Sequence, residues 1–438
     1  YDLVCVGFGP ASLAIAIALH EKFPTDGFQP PFRVLFLERQ RCFAWHSGML
    51  LPETHMQISF MKDLATLRNP RSEFTFVNYL HTKGRLVAFT NLGTFLPLRE
   101  EYNDYMSWCA EKFNHLVQYS QNVVSVEPVF NKAGSTTAWK VNSKHTENGS
   151  HSSFTTCNVV IAVGGRSSIP DQIRSQVNND PRIIHSSQYA TSLRRILPSR
   201  SDPYNIAVVG SGQSAAEIFN DLHSTYPNST TSLFIRSHAL KPSDDSPFVN
   251  EIFNPERVDE FYGLHDDVRR KALKENKGTN YSVVREDLLD KLYQRMYVQR
   301  LRDGNDESNW KHRIFPLREV MGAEIDKSNG KVNLMLWDTR NENNVEAERK
   351  GFDAVIFGTG YVRDVHESLL NGLRPMMKDG TCTVGRDYKM LTDSGDGKIL
   401  SDMGIYLQGC CEDTHGLSDT LLSILAVRGG ELVDSIFG

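Results

Sequence analysis

Residues 1–19 read YDLVCVGFGPASLAIAIAL, and residues 205–216 read NIAVVGSGQSAA. In each, a short apolar run of buried-strand type breaks at a Gly-x-Gly turn and passes directly into an alanine-rich helical run. The first glycine allows the tight turn, and the second lets the backbone approach a pyrophosphate at the helix N-terminus. The first motif is Gly7-x-Gly9-x-x-Ser12, with Ser12 where close helix–strand packing demands a small residue. Its next strand, RVLFL at 33–37, ends at Glu38, whose carboxylate can accept from a ribose hydroxyl. The second motif is Gly210-x-Gly212-x-x-Ala215, and its next strand ends at Arg236 instead of an acid. A guanidinium there suits the 2′-phosphate of NADPH, which a carboxylate would repel. Two such units predict an α/β fold with two Rossmann-like dinucleotide-binding domains.

The rest of the chain arranges itself around them. Residues 101–116 carry apolar side chains at helical spacing, and 131–153, rich in Ser, Thr, Asn and Lys around Trp139, reads as a hairpin with a floppy surface loop. The run NVVIAV at 158–163 is a buried strand stopped by Gly164 and Gly165, and AVIF at 354–357 is another, stopped by Gly358 and Gly360. Charged and aromatic residues alternate over 244–277 without strand character, and helical spacing continues through Val284, Leu288, Leu292 and Met296. This predicts a small, mostly helical insertion at about 240–285. The expected division is a first domain over 1–170, a second over 171–350 carrying the insertion, and the return of the first over 351–438. Residues 420–433 read as a closing apolar-faced helix.

Bulk properties remove several function classes. The 438 residues carry 48 basic and 53 acidic side chains, a net charge of -5, so no general field draws nucleic acid or an anionic membrane. No apolar run reaches the roughly 18 residues of a membrane helix. The seven cysteines are odd in number and widely spaced with no CxxC pair, which suggests neither a disulfide framework nor zinc and points to a reducing, cytoplasmic compartment. The N-x-S/T matches at Asn148 and Asn228 are too short to overturn that.

Two dinucleotide motifs indicate an oxidoreductase. A flavin disulfide reductase needs a cysteine pair near the first motif, and Cys42 has no partner nearby. Flavin monooxygenases carry an F-x-G-x-x-x-H-x-x-x-aromatic segment. Here His185 to Tyr189 keeps its second half, while Asn179 and Pro181 occupy the Phe and Gly positions. The stretches WHSGM (45–49), MQISFMKDL (56–64), PSDDSPFVNEIF (242–253), NYS (280–282) and THGLSDTLL (414–422) then resemble, in order and over nearly the whole chain, the fungal L-ornithine N5-monooxygenases of hydroxamate siderophore biosynthesis. The segment 353–361 departs from the family's D-x-x-x-[LF]-A-T-G-Y pattern by Gly358 in the alanine place, a change small enough to be tolerated.

That resemblance implies FAD and NADPH as cofactors, L-ornithine and O2 as substrates, a C4a-hydroperoxyflavin as oxidant, and a homotetramer. It places residues 38–46, including Glu38, Trp45 and His46, with Gln57 along the FAD, and Met56 close to the flavin. His415, Gly416 and Leu417 cover it. Ser211, Gly212, Gln213, Ser214, Arg236, Asn280, Tyr281 and Ser282 hold NADPH. Lys62, Asn250, Glu251, Ile252, Phe253, Asn280 and Ser418 bind ornithine, with Asn280 and Lys62 nearest the chemistry. As bare residue types, Lys62 is most simply a solvated cation, Asn250, Asn280 and Ser418 are caps, and Phe253 and Leu417 are core. Two other functions fit the same motifs: an L-lysine N6-hydroxylase, and a nucleotide-sensing flavoprotein without catalysis.

Overall fold

In the computed structural model, which describes residues 1–25, 30–177, 180–340, 347–393 and 403–438, the strand Leu3–Val6 is buried along its whole length. Such a strand must be covered on both faces, and it is central in a five-stranded parallel sheet. The order is Gly404–Leu407, Asn158–Ile161, Leu3–Val6, Val34–Leu37, Val117–Gln118. Leu3 lies opposite Val34 on one side and Asn158 on the other. The helix Pro10–Lys22 covers one face, and the C-terminal helix Leu425–Phe437 packs on it so closely that a side chain at Gly429 would meet the Ala14 carbonyl at 2.9 Å. Of the connection over 24–31, residues 26–29 lie outside the described residues.

Asn205–Val209 is central in a second parallel sheet, ordered His312–Phe315, Thr230–Phe234, Asn205–Val209, Ala354–Phe357, Ile183–His185. In both sheets the glycine turn leaves the carboxyl end of a strand whose neighbours run to opposite sides, where open α/β sheets form their crevice. Ala354–Phe357 pairs with Asn205–Val209 in register, Ile206 against Ala354. The expected boundary at 350/351 is therefore too early, because four more residues of fully buried strand belong to the second sheet. An antiparallel sheet of Arg318–Ile325, Val332–Asp338 and Glu348–Phe352 backs it, sharing a core with Ile173, Phe234 and Phe357.

The region over 131–153 forms a hairpin, as expected, but it is not a floppy loop. Gln121–Phe130, Thr136–His145 and His151–Thr156 form a three-stranded antiparallel sheet. Thr136, Trp139, Val141 and Ser143 point inward from its middle strand, so two of the polar residues that suggested a loop are buried. The insertion is helical: Pro247–Asn250, a single turn Glu251–Phe253, Arg257–Tyr262 and Asp266–Asn280. The closing helix starts at Leu425, later than expected, after short turns at Leu417–Thr420 and Leu422–Ile424. Among the described residues no helix is long and apolar enough to cross a membrane.

Candidate active site

Each glycine turn ends in a helix with no side-chain cap. Gly9 caps Pro10–Lys22 and Gly212 caps Gln213–Thr225. First-turn amides have no partner inside their own helix, so both helix starts present free donors and positive dipole ends to the crevice. Space is open beside the first of them, for nothing lies within 4 Å of a side chain imagined at Gly9. Gly7 (φ +94) passes the Ala162 carbonyl at a distance no side chain tolerates, 2.6 Å from an added Cβ. Gly210 does the same against Gly358 at 2.3 Å. Ser12 is buried and donates from Oγ to the Gly7 carbonyl at 2.7 Å, tying the turn to the helix. Gly358 lets the Ala215 methyl approach, for a Cβ there would stand 2.8 Å from it.

Glu38 is buried, and its two oxygens accept from the Phe8 and Gln40 amides at 2.7 and 2.8 Å. A carboxylate has about four acceptor sites, which leaves capacity for a ribose hydroxyl. From there the chain runs over the crevice. Trp45 stands edge-on to His46, and His46 adopts a left-handed backbone (φ 46). The Tyr361 ring sits between His46 and His185, at 5.6 and 5.1 Å. Desolvation in the crevice, with Arg99, Arg363 and His185 nearby, pushes the His46 imidazole down to about 4. His185 is buried, its nitrogens meeting Ser187 Oγ and the Gly360 carbonyl, and burial holds it near about 4 as well. That histidine closes a turn and leaves no nitrogen for substrate.

The two glycine-bounded turns noted in the sequence meet. Arg166–Ser167 pairs antiparallel with Tyr361–Val362, where the chain crosses between the lobes. The loop after His46 binds the lobes further. Gly48 lies against the backbone of Ser187 and Gln188, where an added Cβ would fall 1.9 Å from the Ser187 carbonyl. Met49 and Leu51 enter the core of the second lobe. Sequence reasoning missed Gly48 and also the buried pair Arg99–Glu217, whose Nη2 and Oε1 are 2.8 Å apart. Two signals pointed to it: an arginine opening the helix Arg99–Glu111, against the helix dipole, and an acid inside the apolar face of Gln213–Thr225.

Met56 is buried and Gln57 exposed. Lys62 is half-buried. Burial lowers its pKa against the pull of Glu256 in the insertion, and no ion pair holds its ammonium among the described residues. Arg236 is 80% exposed, with only a loose contact to Glu319 at 3.7 Å. Ser282 is left-handed (φ 59), its Cα 3.7 Å from a Cβ imagined at Gly212, so the backbone after Asn280 and Tyr281 faces the second turn at Ser282. Beside them Tyr281 donates to Glu412 at 2.7 Å. Ser211 and Ser214 flank the same helix start.

The remaining expected residues divide. Glu251, Ile252, His415, Gly416, Leu417 and Ser418 line one cavity of about 220 Å³ under the insertion. Phe253 and Leu417 join Leu273 in a small core. Glu251 pairs with Arg257 at 2.6 Å, and Asn250 donates to the Asp245 carbonyl at 2.9 Å. His415 is buried against Tyr388, its nitrogens meeting Thr414 and the Arg386 carbonyl, so its ring is a wall of the fold. Lys62, Asn250 and Asn280 do not line that cavity.

Residues 1–363 match the model of the L-lysine 6-monooxygenase/L-ornithine 5-monooxygenase family. The chain belongs to that family. Among its members, the L-ornithine N(5)-oxygenase of Arthrobotrys oligospora is 53% identical over 442 residues, covering 100% of this chain and 88% of the relative. The solved ornithine hydroxylase of Pseudomonas aeruginosa superposes with a TM-score of 0.88 at 39% identity, covering 100% of this chain and 98% of that one. An ornithine N-hydroxylase of Kutzneria, solved with reduced FAD, NADP+ and L-ornithine, superposes with a TM-score of 0.86 at 34% identity, covering 100% and 98%. Family membership agrees with the two uncapped helix starts, one after each glycine turn.

Proposed function

We propose that this chain hydroxylates the N5 side-chain amine of L-ornithine with FAD, NADPH and O2, the step that opens hydroxamate siderophore synthesis. One observation carries the reading: two helices start uncapped at Gly9 and Gly212, each suited to a dinucleotide phosphate, in a chain whose Lys62 is half-buried with no ion pair among the described residues. When bound, the flavin and nicotinamide supply the hydride and the activated oxygen.

The protein's residues bind, orient and exclude water. The helix starts at Gly9 and Gly212 take the two pyrophosphates, with Glu38 on one ribose and Arg236 on the 2′-phosphate of NADPH. Trp45, His46, Met56 and Gln57 line the flavin side, with His415, Gly416 and Leu417 walling it from the C-terminal side. Ser211, Gln213 and Ser214 with residues 280–282 enclose the nicotinamide side. Lys62 pairs with the amino-acid carboxylate, and Asn250, Asn280 and Ser418 fix the other end, with residues 251–253 shaping the insertion above. The reacting amine must be neutral, and free amines of this type titrate near about 10, so turnover rises from pH 7 toward 9. The exposed stripe Tyr293, Tyr297 and Leu301 on Glu286–Asp303 gives a face for the homotetramer, which light scattering checks.

The test is mass spectrometry after incubation of FAD-loaded protein with NADPH, O2 and equimolar L-ornithine and L-lysine. A gain of one oxygen on ornithine alone is expected. Oxygen on lysine instead makes the chain an N6-hydroxylase, and protein that binds FAD but never consumes NADPH is a sensor without catalysis.

A further inference from the structure

The helix Gln213–Thr225 carries Glu217 inside the face it buries, 5% exposed among Ala216, Ile218 and Phe219. Taking a charge out of water is costly unless every oxygen finds a donor. Here Oε1 accepts from Arg99 Nη2 at 2.8 Å and Gln213 Nε2 at 2.9 Å, and Oε2 accepts from Arg99 Nη1 at 2.9 Å. The network continues at both ends. Arg99 Nη1 also donates to the Met49 carbonyl at 2.9 Å, and Gln213 Oε1 accepts the Arg285 backbone amide at 2.9 Å.

Both ends of the Gln213 amide are therefore engaged within the protein. Its side chain is a bracket between the second glycine turn and the segment after Ser282, where Arg285 opens the helix Glu286–Asp303. Arg99, from the first lobe, fastens that bracket to the loop carrying Trp45 and His46. A single buried acid thus joins three segments: the flavin-side loop, the second glycine turn and, through Gln213, the backbone at Arg285 just after Ser282. Replacing a buried ion pair by apolar side chains often costs no stability, so stability alone does not account for it.

We infer that Glu217 is a positioning residue for the nicotinamide cofactor. It fixes the separation of the two groove walls through Gln213, and through Arg99 it fixes the groove against the flavin-side loop. The inference rests on the reading of that groove as the NADPH site.

The test uses full-length, FAD-loaded protein and two readouts: calorimetric binding of NADP+, and anaerobic bleaching of the flavin by NADPH. The variants are Glu217→Gln, Gln213→Ala and the double variant. Losing a hydrogen bond to a charged group weakens an interaction about tenfold or more, so each single variant raises the NADP+ Kd about tenfold and slows bleaching, with FAD content unchanged. If Glu217 acts through Gln213, the double variant binds no more weakly than the weaker single one. Independent, additive losses of about a hundredfold overturn the inference, as does an unchanged Kd in Glu217→Gln. Should Glu217→Gln fail to retain FAD, Arg99→Lys, which keeps the charge and loses the two-point fork, must show the same rise. Unaltered protein that binds no NADP+ overturns the reading of the groove itself; unaltered protein that binds it, with variants that bind equally well, overturns only the role of Glu217.

Discussion

Lys62 illustrates what one residue can be asked to do. Burial shifts this lysine downward against the pull of Glu256, and the role proposed for it is to meet the ornithine carboxylate. Lys62→Met keeps length and removes the charge. Ornithine KM is expected to rise about tenfold to a hundredfold, the value of a charged hydrogen bond, while flavin reduction by NADPH is unchanged. Steady-state kinetics alongside anaerobic stopped flow separate the two, and an unmoved KM removes Lys62 from the substrate site. At this scale the sequence is legible where geometry is local. Gly7, Gly9, Ser12 and Glu38 stand within one βαβ unit, and their spacing alone places them. Lys62, Asn250 and Asn280 belong to segments far apart in the chain, and only family likeness grouped them. Glu251 reads as a ligand from its neighbours, yet folding gives its carboxylate to Arg257.

Among the elements, the loop of residues 45–51 has the most exacting surroundings. Gly48→Ala would drive a methyl into the Ser187 backbone, which neither partner can yield without the lobes parting. Overpacking of this kind costs about 1 to 3 kcal/mol, and here the strain falls on the crevice. Thermal melts and the flavin absorbance of purified protein are expected to show a lower Tm and partial loss of FAD. A variant with full FAD and an unchanged Tm would mean the lobes are looser than described. The apolar strands were readable because each is a short run bounded by glycine or a charge. Of the sheet over 121–156 only a hairpin around Trp139 was, since the middle strand buries Thr136 and Ser143 and so disguises its alternation. The strand Ala354–Phe357 was found but assigned to the wrong sheet: its burial is visible in the sequence, its neighbours are not.

The whole molecule responds to acid through histidines kept neutral. His185 and His312 are held at about 4 and His223 at about 2, first by burial, and the His223 and His312 rings face each other at 3.7 Å. All three belong to the second lobe. In the unfolded chain each titrates near about 6.5, so below that pH the unfolded state takes protons that the folded state refuses. Their contribution is complete above about 6.5 and is lost as pH falls toward about 4, at about 1.4 kcal/mol per pH unit for each. Tm measured from pH 7.5 down to 4.5 should fall steeply below about 6.5, and a flat profile would mean these rings are hydrated. The packing of the closing helix Leu425–Phe437 on Pro10–Lys22 bears on a different event, the emergence of the chain from the ribosome. The first sheet waits for Gly404–Leu407 and the first helix for its cover, whereas the strands of the second sheet lie within 183–357 and are synthesised together. The sheet begun first is thus finished last, and its glycine turn is held in reserve until residues 404–437 have been made.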